Sequence, residues 1–99
     1  MAYKIIVKRR FTNKAQKVLA YLEREWSRKV AADFLVKIDR RMDMLSKQPY
    51  VGAPSTVIKD VRGVLITRHN KIYYKIKGKT VTILNMYDTR MKPGRNRYK

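Results

Sequence analysis

The chain has 99 residues, 44% of them hydrophobic, with 25 Lys or Arg against 7 Asp or Glu and a formal net charge of +18. That length suits a single domain, residues 1–99, with its own core. The hydrophobic share excludes a disordered polyelectrolyte, and zero cysteines with one histidine exclude disulfides, thiolate catalysis and a protein-only zinc site.

The opening MAYKIIVKRR has too short an apolar run for a signal peptide, and no stretch approaches the roughly 18 apolar residues of a membrane span, so the expected compartment is the cytoplasm. Tyr3 to Lys8 reads as a β-branched strand with Tyr3, Ile5 and Val7 on one face, ended by Arg9 and Arg10. From Thr12 or Asn13, either able to cap free amides, apolar residues recur at Ala15, Val18, Leu19, Leu22 and Trp26. The spacing predicts an amphipathic helix of about three to four turns. Ser27 predicts a second cap, and Val30, Ala31, Phe34, Leu35, Ile38, Met42 and Leu45 carry a longer helix to about Lys47, before Pro49. The very short connection makes the two helices an antiparallel hairpin, with Trp26, Phe34, Met42 and Met44 in the core or at its margin.

Pro49 to Ser55, PYVGAPS, predicts a loop, and Val57 to Lys59 a brief strand or irregular segment. Val61 to Arg90 predicts three successive antiparallel strands. Lys71 to Ile76 and Val81 to Tyr87 form the last hairpin around Lys77-Gly78-Lys79, where Gly supplies positive φ. Side-chain alternation puts Ile72, Tyr74, Ile76, Val81 and Ile83 on a covered face, and Lys71, Tyr73, Lys75, Thr80 and Thr82, with Leu84 and Met86, on the other. The order β-α-α-β-β-β implies an α+β fold: a small antiparallel sheet with the helical hairpin packed on one face.

Residues 62–99 hold eleven Lys or Arg and a single acid, Asp88. A folded chain this basic expects a polyanion, and its C-terminal half is the anion-facing half. No carboxylate pair, Ser-His-Asp set, phosphate-cradling glycine loop or metal cluster can be assembled, so no cofactor is expected. Arg62, Arg68, His69, Lys71, Tyr73, Lys75, Tyr87, Arg90, Lys92, Arg95, Arg97 and Tyr98 instead gather cations and phenols, which suit RNA: charge for phosphate, rings for unpaired bases. Cleavage through a 2′-hydroxyl is within reach of such a set. Fixed cations would stabilise the phosphorane, and a lysine of depressed pKa, Tyr98, Tyr87 or His69 would move protons.

The segments PYVGAPS, VRGVLITRHNKIYYKI and above all LNMYDTRMKPGR resemble the RelE/ParE superfamily of toxins from bacterial type II toxin–antitoxin modules, over about residues 3–95. Tyr87-Asp88-Thr89-Arg90 and Pro93 are similar to the "FDTRQNP" ending of many members. The resemblance implies either a RelE-like, metal-independent endoribonuclease that cuts messenger RNA on the ribosome, the favoured expectation, or a ParE-like inhibitor of DNA gyrase. A non-catalytic RNA-binding protein is the remaining alternative. By position, the RelE-like catalytic cations fall on Lys71, Arg90 and near Arg62, and the C-terminal tyrosine near Tyr98, while a second RelE-like lysine falls on Val64. The cleavage reading requires Lys71 and Arg90 to face one anion. Either toxin reading implies an acidic, partly disordered antitoxin lying over the C-terminal strand or between helices and sheet.

Overall fold

The computed structural model describes residues 2–90 and 96–98. Strand β1 (Lys4–Val7) leads into helices α1 (Arg9–Glu25) and α2 (Arg28–Lys47), a 3-10 turn (Pro49–Val51) and strands β2 (Ala53–Pro54), β3 (Val61–Thr67), β4 (Asn70–Lys77) and β5 (Thr80–Asp88). The sheet order is β1-β5-β4-β3-β2. The expected α+β fold is present, with one difference: the sheet is mixed, because β1 runs parallel to β5, Lys4 opposite Thr80 and Val7 opposite Ile83. The helical hairpin supplies the crossover that a parallel pair requires.

Both helices pack by their apolar stripes. Phe11 and Ala15 from α1, and Phe34, Ile38 and Leu45 from α2, meet Ile66, Ile72, Tyr74, Ile76, Val81, Ile83 and Met86 of the sheet. Ser27 caps α2 as expected, its hydroxyl accepting from the Val30 amide at 3.1 Å. Helix α1 departs from expectation. It starts at Arg9 rather than after Thr12 or Asn13, and its N-cap, Lys8, makes no side-chain capping bond. Trp26 is also corrected: it sits at the end of α1 with 71% of its surface exposed. The PYVGAPS segment contains the short strand β2, paired with β3 at Gly63 and Arg62, whereas 57–59 is irregular.

The β4–β5 turn is Gly78-Lys79, with φ +57° at Gly78, and Lys77 stands opposite Thr80. Positive φ at the first central residue alone is the type II′ pattern. Further along, Tyr74 faces Ile83 but Tyr73 faces Asn85, so Leu84 is an extra residue, a bulge in β5. The bulge resets the alternation: Met86, expected on the outer face, lies opposite Ile72 in the core at 1% exposure. Among the described residues, no helix is long and apolar enough to cross a membrane.

Candidate functional site

The outer sheet face, away from the helices, carries its own small cluster. Val61, Tyr73 and Tyr98 are buried there, with Ile58, Leu84 and Tyr87 against them. Tyr98 returns from the C-terminal segment to stack on Tyr73, centroids 4.8 Å apart and planes at 20°, with Tyr87 edge-on to both. Asn96 donates to the Tyr73 hydroxyl at 3.0 Å, and the Ser55 hydroxyl donates to the Tyr98 carbonyl at 2.6 Å. The ring proposed for base stacking is therefore occupied: Tyr73 is 3% exposed under Tyr98. Burial pushes the Tyr98 phenol above its ordinary value, so it is protonated at neutral pH, held within this cluster.

Among the described residues, the expected catalytic cations Lys71, Arg90 and Arg62 line three different recesses, those of Lys71 and Arg90 adjoining at Asp88. Lys71 stands on the outer face, its ammonium 5.3 Å from the Tyr73 ring centroid, in a small recess with Leu65, Tyr87, Asn96 and also Asp88 and Thr89, so the carboxylate that holds Arg90 borders this recess too. Gly63 makes that packing possible, since a Cβ there would come within 2.6 Å of Lys71 Cε and 2.9 Å of Tyr73 Cε1. Asp88 pairs with Asn70, one residue out of step with Lys71, and so turns toward the helices. It takes Arg90 with it: Nε donates to Oδ1 at 2.9 Å, Nη2 to Oδ2 at 2.6 Å, and the Arg90 amide to Oδ1 at 2.8 Å. The side-chain bonds from Arg90 are the largest cause holding the Asp88 carboxyl at about 2, below its ordinary 3.8. Arg62 serves the opposite edge. It pairs with Tyr74 on the helix side and donates to the carbonyls of Tyr50 (3.2 Å) and Gly52 (2.7 Å), tying down the segment before β3. His69 accepts from Arg68 through Nε2 at 3.2 Å in the β3–β4 turn, on the Arg90 side. Lys92 and Arg95 lie outside the described residues.

Two larger surfaces emerge. On the outer face, Lys75, Arg97 and Tyr98 line a groove of about 690 Å³ together with Lys8, Arg9 and Arg10. The last three were read only as a strand end; the signal that marks them is three cations at a helix start, where the helix dipole disfavours positive charge. On the helix side, a groove of about 890 Å³ is lined by Tyr21, Leu22, Trp26 and Val30, together with Lys14, Lys17 and the Asp88–Arg90 pair. Trp26, Tyr21 and Val30 are 71%, 50% and 37% exposed, an apolar patch of the kind that marks a protein-binding surface.

The family described as "ParE toxin of type II toxin-antitoxin system, parDE" matches residues 5–93. A chromosomal ParDE toxin–antitoxin structure from P. aeruginosa aligns at TM-score 0.74 and 16% identity, covering 88% of this chain and 96% of that one. A YoeB/ParE toxin from Agrobacterium tumefaciens gives TM-score 0.64 and 13% identity over 86% and 97%. A free mutant of the E. coli toxin RelE gives 0.62 and 13% over 91% and 86%. No curated protein matches the chain in sequence. These structures share its fold, and the match over residues 5–93 places the chain in the ParE toxin family of type II toxin–antitoxin systems.

Proposed function

We propose that this toxin acts by binding its target, DNA gyrase, rather than by cutting messenger RNA. The observation that carries this reading is the dispersal of the cations a nuclease would need. Lys71 lines a recess on the outer face, Arg90 is held by Asp88, which lies between that recess and the helix-side groove, and Arg62 holds backbone carbonyls at the far edge. Stabilising a phosphorane requires charges aimed at one point, and a guanidinium already shared with a carboxylate supplies little net field. The ParE family match is consistent with the binding reading.

Purified gyrase and a translating extract separate the two activities. The expected result is inhibited supercoiling with no new messenger cuts. Fresh cuts that disappear in Lys71→Ala would overturn the proposal in favour of cleavage.

A toxin of this family pairs with a cognate antitoxin. We place that partner, an acidic amphipathic segment, in the Trp26 groove, where exposed apolar rings lie beside Lys14 and Lys17, Arg90 there being taken up by Asp88. Trp26 is the single tryptophan, so its emission reports the event directly. Binding should shift it to shorter wavelength; an unmoved spectrum in a verified complex would send the antitoxin to another face.

A further inference from the structure

The groove on the outer face differs in kind from the Trp26 groove. Five exposed cations, Lys8, Arg9, Arg10, Lys75 and Arg97, surround it, and no carboxylate is among its lining residues. Among the described residues, ion pairs within 4 Å involve Arg28, Lys47 and Arg90, and none of these five. Helix α1 begins at its rim with no acid in the first turn and no side-chain cap, so the positive end of the helix adds to the same field.

We infer that this groove binds the sugar–phosphate backbone of double-stranded DNA without reading its sequence. Three arginines and two lysines suit phosphate oxygens, the guanidinium through paired N–H groups and the ammonium as a point charge. A single strand would need aromatic platforms for its bases. The aromatic ring here, Tyr98, is 5% exposed and stacked on Tyr73, which leaves no such platform. An acidic amphipathic peptide would need large open side chains to cover; here Val61 and Tyr98 are buried and Ile58 and Leu84 half-buried, whereas the rings around Trp26 stand open. Around the half-buried Ile58 and Leu84 the groove offers five cations, and such charge positions a backbone without specifying bases. The inference goes beyond the choice of toxin target, because it concerns DNA alone.

The test is binding of the purified full chain to a short duplex across a salt series, with no gyrase present. Five phosphate contacts predict a slope of about −4.5 in log affinity against log salt. Arg9→Gln with Arg10→Gln should reduce that slope by about 2 and weaken binding at least about tenfold at moderate salt. Lys75→Gln, an exposed strand position, should reduce it by about 1. The control removes the same net charge elsewhere, through Lys37→Gln with Arg40→Gln on exposed positions of α2. It should leave the slope nearly unchanged. Two results would overturn the inference: a control pair that loses as much as the Arg9/Arg10 pair, which would make the attraction a diffuse effect of net charge, or tighter binding to single-stranded DNA or RNA of equal length.

Discussion

One hydroxyl joins the sheet to the segment that follows α2. Tyr74 Oη donates to the Pro49 carbonyl at 2.6 Å and accepts from the Gly52 amide at 3.0 Å, all out of contact with solvent. Tyr74→Phe keeps the ring but leaves both backbone groups without a partner, a loss of about 1–3 kcal/mol. The denaturation midpoint should fall with an unchanged m-value; a neutral result would mean that water reaches the join. Asp88 behaves differently because its pair with Arg90 is exposed, 44% and 68% for the two side chains. Its folded pKa of about 2 lies below the ordinary 3.8, so the ionised form is favoured by folding. The contribution is complete above pH 3.8 and is lost as pH falls toward 2. Exposure limits it to less than about 1 kcal/mol. Asp88→Asn should therefore cost a small constant amount near neutrality, with the difference from wild type closing in acid. The sequence shows a basic carboxylate neighbourhood here, but not that Arg90 folds back on Asp88 two residues away. That depends on the chain leaving β5 in a turn, which the string Asp-Thr-Arg does not state.

At the scale of elements, what could be read from sequence depended on whether a residue type marks the local geometry. Ser27 announces a cap, and Gly78 announces a positive φ, and both are found where expected. Lys8 announces nothing, so spacing alone starts α1 four or five residues late and reads the cations at its first turn as a strand end. The bulge at Leu84 is equally silent, since leucine fits either face; its consequence, Met86 turned into the core, follows from register alone. The bare start of α1 makes a prediction. Lys8 already has the extended backbone of an N-cap, φ −76° and ψ 148°, without a capping side chain. Lys8→Ser supplies an acceptor for the free amides and removes a charge from the positive helix end, a gain of roughly 0.5–1 kcal/mol. A domain of this size gains about 4–8 °C in Tm for each kcal/mol. If the groove binds DNA as inferred, the same variant binds duplex more weakly, so stability rises as affinity falls. Such opposition is what a functional site that breaks a local folding rule should show. A variant neither stabler nor weaker in binding would remove the reason for regarding Lys8 as anything but a surface lysine.

For the whole molecule, the governing quantity is the charge of +18 spread over 99 residues. Charge along the sequence points to the C-terminal half as the anion-facing one, yet the groove that gathers cations is assembled from parts distant in sequence: three from the start of α1, with the middle of β4 and the returning segment at Arg97. Self-repulsion on this scale opposes the compact state, and three exposed ion pairs among the described residues do little to offset it. Added salt should therefore stabilise the free toxin, since shortening the screening length from about 30 Å at 0.01 M to about 8 Å at 0.15 M removes repulsion between distant cations while barely touching the buried core. A rise in Tm of several degrees over that range is expected, with most of it gained by physiological salt. The complex with an acidic antitoxin should respond in the opposite sense. Its charges are already compensated, and the attraction across the interface is itself screened, so its Tm should be flat or fall over the same range. A free toxin whose Tm does not change with salt would mean that its cations are far enough apart to ignore one another, and the case for a concentrated anion-binding surface would go with it.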